Sequence, residues 1–103
     1  MGDIPTIHIT NEGEESDYLA KHRFEIHSRI LEGVERGVNE GIDNILLFKI
    51  INHVDNYTVI LSVTKESWGE SLEKCKNYFQ QVEEYEACER VRILEEKIKN
   101  GDI

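Results

Sequence analysis

The side chains able to do chemistry in this sequence are four histidines, His8, His22, His27 and His53, two cysteines, Cys75 and Cys88, and the carboxylate pairs Glu14-Glu15, Glu83-Glu84 and Glu95-Glu96. Histidines bind metals or move protons, and a metal site on a helix needs two ligands three or four positions apart, so that both lie on one face. His22 and His27 are five positions apart and diverge around a helix, so no metal is expected. His27 falls within an apolar stripe, where a half-buried, hydrogen-bonded imidazole is the expected outcome. A thiol nucleophile needs a base beside it, but Cys75 and Cys88 both lie on apolar stripes, where cysteine behaves as a small hydrophobe. Their separation of 13 residues matches neither zinc-ribbon nor redox spacing, both of which place two residues between the thiols. There is no glycine-rich phosphate loop and no nucleophile elbow. In so acidic a chain the paired carboxylates read as solvated surface rather than as acid and base. The expectation is a non-enzymatic protein with no catalytic residues and no cofactor. A small enzyme built on His27 or Cys75 would need His27 open to a pocket beside a second titratable group.

Length and composition bound the rest. A chain of 103 residues is one small domain. Twelve basic against 21 acidic residues give a net charge of −9, which repels a nucleic-acid backbone, so direct nucleic-acid binding is not expected. With 39% hydrophobic and 32% charged residues the chain should fold around a thin core, because its apolar residues come in periodic runs. Two cysteines are too few for a disulfide scaffold, and no secretory pattern opens the chain, which predicts a reducing, intracellular context. The longest apolar run, residues 45–51, is broken by Lys49 and falls far short of the roughly 20 residues of a membrane helix.

The elements follow from periodicity. Residues 4–10 are β-branched enough for a strand, and Pro5 places it at an edge. Residues 11–16 read as a loop ending in the helix cap Ser16. From Asp17, the positions Ala20, Phe24, His27, Leu31, Val34 and Val38 advance by four and three, the stripe of an amphipathic helix. Gly33, Gly37 and Gly41 stack on one side of it. Gly41 is the expected C-terminal cap, while Gly33 and Gly37 read either as tolerated residues in a fraying end, the favoured alternative, or as points of close backbone approach.

Residues 43–51 and 57–65 form two strands of a hairpin. The second alternates, with one polar face; the first is apolar on both. Leu46, Phe48 and Ile50 are expected in the core, which leaves Ile45, Leu47 and Ile51 beside Ile60 as a second apolar surface for a partner or for the C-terminal helices. Ser67 and Glu70 have capping-box spacing. The helical pattern that follows runs to Lys99 and is read as a hairpin turning near Glu83-Glu84, or as a single long helix. The expected architecture is an α+β domain ordered β-α-β-β-α-α. Its sheet is three-stranded, mainly antiparallel and ordered 1-3-2, with one packed helix. Residues 1–66 form the β-α-β-β core, and residues 67–103 a C-terminal helical segment of the same domain.

Within residues 72–98, Tyr85, Glu86, Cys88, Arg90, Val91 and Arg92, thirteen positions after Leu72, resemble the UVR-type helical hairpin. This hairpin occurs in nucleotide-excision-repair proteins and some bacterial chaperone and kinase-adaptor proteins. The likeness covers less than a third of the chain and departs from the motif at Glu89, at Ile93, and in the first helix, where the apolar residue is displaced to Cys75. It implies protein–protein docking, with Tyr85, Arg90 and Arg92 as contact residues. Charge adds a second feature. Residues 1–40 carry nine acidic against four basic side chains, and Glu12, Glu14, Glu15 and Asp17 form an acidic patch suited to a basic partner. The expected function is an assembly or adaptor protein that docks onto a larger protein assembly or onto itself, for example as a capsid-associated component of a phage virion. The alternative is an acidic inhibitor that mimics nucleic acid in the basic groove of a DNA- or RNA-binding enzyme.

Overall fold

The computed structural model describes residues 4–101. In chain order it contains β1 (Thr6–Ile9), α1 (Glu14–Lys21), α2 (Arg23–Glu40), β2 (Asn44–Asn52), β3 (Tyr57–Thr64), a 3₁₀ turn (Lys65–Ser67), α3 (Trp68–Gln81) and α4 (Tyr85–Lys99). The α+β class holds, with a mixed sheet and four helices. The strand order does not hold. It is β1-β2-β3, with β1 parallel to β2 and β2 antiparallel to β3. Parallel neighbours need a long crossover, and α1 with α2 supplies it. The strand that is apolar on both faces is therefore the central one, bonded along both edges.

The expected helix from Asp17 is two helices. α1 starts at Glu14, after Gly13 in the left-handed conformation (φ 79°), so Ser16 lies inside it rather than capping it. The chain bends at His22 (φ −110°, ψ 27°), and α2 carries the buried stripe Leu31, Val34 and Val38. Ala20 and Phe24, expected at the start of that stripe, are exposed. Gly41 does end α2, at φ 69°.

Gly33 and Gly37 are points of close approach, contrary to the favoured reading. A Cβ on Gly33 would lie 2.7 Å from Leu47 Cδ2, and one on Gly37 would lie 2.8 Å from Trp68 Cζ2 and 3.0 Å from the Ile42 carbonyl oxygen. Four residues apart on one side of α2, these two positions let the helix lie against the sheet at Gly33 and against Trp68 at Gly37.

The C-terminal segment is a helical hairpin. α3 ends at Val82, Glu83 adopts φ 60°, and the Glu84 N–H donates to the Phe79 carbonyl while the Glu83 N–H donates to that of Gln80. This is a Schellman turn with glutamate where glycine usually sits. At the start of α3 the Ser67 side chain serves Thr64 rather than a capping box with Glu70: it accepts from the Thr64 N–H and donates to the Thr64 carbonyl. One core runs from Ile9 through Leu31, Val34, Phe48, Val63, Trp68, Leu72 and Phe79 to Val91 and Leu94. α2 packs on one face of the sheet, and α3 and α4 pack against α2 and each other. The molecule is elongated, 45 × 30 × 21 Å with a radius of gyration of 14.8 Å, against about 13 Å for a compact chain of this length.

Candidate functional site

The groups able to do chemistry are mostly engaged in structure. Cys75 is fully buried, its thiol directed at the His27 carbonyl at 3.5 Å, and burial pushes its pKa up to about 12. Burial thus disfavours the thiolate. His27 is half-buried, as expected: its Nδ1 donates to the Arg23 carbonyl at 2.7 Å and its ring stacks on Tyr78 at 4.1 Å between centroids. His22 pairs with Glu25 at 3.2 Å. His8 and His53, remote in sequence, meet with Nδ1 and Nε2 3.0 Å apart and near-parallel rings. Among the described residues no three His, Cys, Asp or Glu side chains are placed to hold one metal ion, and no helix is long and apolar enough to cross a membrane.

The apolar surface on the sheet has a different membership from that expected. Leu46 faces Ser62 and Phe48 faces Leu61, so Leu47 is the extra residue of a β-bulge. The bulge breaks the two-residue alternation, so Ile45 and Leu47 turn into the core with Phe48 and Ile50, while Leu46 turns out. Ile45 and Leu47, expected on the partner surface, are thus buried, and Leu46, expected in the core, is 49% exposed. Ile51 and Ile60 do lie on the outer face, half-buried and 54% exposed respectively. No helix among the described residues covers this face. Around Leu46, Ile51 and Ile60 it presents His8, Lys49, Thr58 and Ser62.

Arg90 and Arg92 of the helical hairpin are both paired within the chain. Arg90 makes a two-pronged ion pair with Glu35 of α2, Nε to Oε2 at 2.9 Å and Nη2 to Oε1, and that carboxylate raises the guanidinium pKa. Arg92 is held on α4 by Glu89 at 2.9 Å and Glu96 at 3.0 Å. Tyr85, named as a contact residue, is 68% exposed, and Ala87 beside it in α4 is buried. Tyr85 lies at a shallow depression of about 320 Å³ between α3 and α4, with Lys76, Gln80 and Cys88.

Comparison with protein-family models, with curated proteins and with solved structures finds no match to this chain. Its chemistry must be read from its own side chains.

The acidic patch divides in two. Glu14 accepts from the Thr10 N–H at 2.7 Å, a bond that lowers its pKa. Glu15 accepts from the Tyr57 hydroxyl at 2.8 Å, which raises the tyrosine pKa. Glu12 and Asp17 are exposed at an open depression with Tyr18 and Lys21. The Tyr57 hydroxyl also accepts from Asn52 Nδ2 at 3.2 Å, and Asn52 Oδ1 accepts from the Val54 and Asp55 N–H groups at 2.9 Å. This Glu15–Tyr57–Asn52 chain ties α1 to the hairpin loop. Nothing in the local sequence signals it, because its members lie as much as 42 residues apart.

Proposed function

We propose that this chain is a non-catalytic assembly or adaptor protein that docks onto a larger protein assembly through the helix-free face of its sheet. A capsid-associated role in a phage virion is one setting that suits such a component. One observation carries the reading: Leu46, Ile51 and Ile60 lie on an outer face that no element among the described residues covers, and Leu46 and Ile60 are the most exposed of the sheet's apolar side chains. In a protein with so thin a core, leaving Leu and Ile side chains in water forgoes burial worth about 25 cal/mol per Å² of apolar surface, and grouped residues of this kind mark interaction sites. The UVR-type likeness of residues 72–98 points toward docking as well, with exposed Tyr85 as its free contact residue. The acidic-inhibitor reading is less favoured, because Glu14 and Glu15 are already bonded to backbone and to Tyr57.

The test is capture of partners from the protein's native setting, at low and at high salt, with the wild-type chain and with Leu46→Glu. The reading expects a large structural protein that stays bound at high salt and is lost with the variant. A nuclease or polymerase that is released as salt rises, and that Leu46→Glu still captures, would establish the inhibitor instead.

A further inference from the structure

The two edges of the sheet are built differently. β1 is four residues long and follows Pro5, a short and guarded edge. β3 is eight residues long, contains neither proline nor charge, and has no strand on its outer side. Backbone groups alternate along an antiparallel strand between its partner and its free side. The Lys65 N–H donates to the Asp43 carbonyl, so the odd-numbered residues of β3 turn toward β2 and the even-numbered ones turn outward. Thr64, the last of these, is satisfied by the Ser67 hydroxyl. Thr58, Ile60 and Ser62 are left presenting donors and acceptors that no group among the described residues meets.

We propose that the β3 edge is a self-association strand: a second copy of this chain sets its own β3 antiparallel to the first about a two-fold axis at Ile60, joining two three-stranded sheets into one of six. The occupant follows from charge. With a net charge of −9, two copies repel over most approaches, but β3 carries no charge. Pairing about Ile60 sets Thr58 against Ser62 of the second copy and Ile60 against its own equivalent. It also brings the hairpin turn of each copy, with Asp55 two residues before β3, near Lys65 just past the end of β3 in the other. Both residues are exposed. Moving the axis along β3 in either direction carries the Asp55 turn away from Lys65, which favours a register centred on Ile60. This inference is independent of docking through the outer face, since either can fail while the other stands.

Sedimentation velocity on the full chain, over a wide concentration range, tests it. The expected species is a dimer of twice the 12.0 kDa chain mass. Ile60→Glu places two carboxylates against each other at the axis, yet within one chain it faces Lys49, so the monomer should keep its circular dichroism and Trp68 emission. Dimerisation should weaken by about tenfold or more, since like charges directly opposite each other are unfavourable. Asp55→Lys and Lys65→Asp, both at exposed positions, should each weaken the dimer, and the double swap should restore it. These two variants read the same interface should Ile60→Glu fail to fold. A wild-type monomer at every concentration, a dimer indifferent to Ile60→Glu, or a double swap that does not restore association would each overturn the proposal.

Discussion

Replacing Gly37 with alanine sets two opposed effects against each other at one Cβ. In an exposed helix interior the change is favourable by about 1 kcal/mol, because alanine loses less conformational entropy on folding. Here the new methyl would meet the buried Trp68 ring at 2.8 Å and the Ile42 carbonyl oxygen at 3.0 Å. Neither yields easily: the indole is 3% exposed and rigid, and the carbonyl belongs to the turn that begins with the Ile42 N–H bond to Gly37. Overpacking of this kind costs about 1–3 kcal/mol, and two stiff neighbours place the cost toward the upper end. The expected net loss is about 1–2 kcal/mol, read as a Tm lower by about 4–8 °C for each kcal/mol. Two companions fix the interpretation. Gly33→Ala meets chiefly the end of the Leu47 side chain, which can rotate, so it should change stability by under about 1 kcal/mol in either direction. Gly69→Ala meets nothing within 4 Å and should stabilise by up to about 1 kcal/mol. Urea denaturation followed by far-UV circular dichroism separates the three. A Gly37→Ala protein as stable as wild type would refute the reasoning that close approach, rather than tolerance, places glycine there.

Two further perturbations have worked signs. Glu83→Gly replaces a left-handed glutamate (φ 60°) at the turn between α3 and α4; relief of about 1–2 kcal/mol of backbone strain, less the added flexibility of the unfolded chain, should leave a gain of about 0.5–1 kcal/mol in the same denaturation assay. The Glu14 carboxyl has its pKa lowered from the ordinary 4.5, chiefly by the Thr10 N–H. Its contribution to stability is therefore present above the unfolded pKa and lost as pH falls through the folded one. Glu14→Gln should flatten the fall of Tm on the acid side of pH 5 and leave its slope above pH 6 unchanged; an unaltered acid limb would count against that role.

Local patterns were legible in the sequence, and long-range geometry was not. The hairpin of residues 44–64 and the C-terminal cap at Gly41 both follow from residue types within a few positions of one another. Strand order needed knowledge of what lies between strands: the helices after β1 make a parallel crossover natural, but Pro5 argued only that β1 is an edge. The bulge at Leu47 is invisible to a two-residue alternation, and one inserted residue is enough to exchange the inward and outward sets, which is why Ile45 and Leu47 changed places with Leu46 while Ile51 and Ile60 did not. Glu83 disguised a Schellman turn by standing where glycine signals one. Gly33 and Gly37 acquired meaning only once Leu47 and Trp68 were seen above them.

Charge plays a different part in the folded chain from the one its sequence suggests. Arg90 and Arg92, contact residues by the UVR-type likeness, are both satisfied within the chain, one bracing α4 against α2 and the other on its own helix. Glu14 and Glu15 are likewise occupied at the start of α1. The groups proposed for docking are instead apolar side chain and backbone: Leu46, Ile51 and Ile60 on the open face, the outward groups of Thr58, Ile60 and Ser62 on the β3 edge, and the Tyr85 ring. Contacts built from such groups draw on burial and on main-chain hydrogen bonds, which salt screens little. The acidic surface then acts by exclusion, since a net charge of −9 disfavours association everywhere except where a patch is uncharged. On this argument the charge of the chain governs where it does not bind, and the sheet governs where it does.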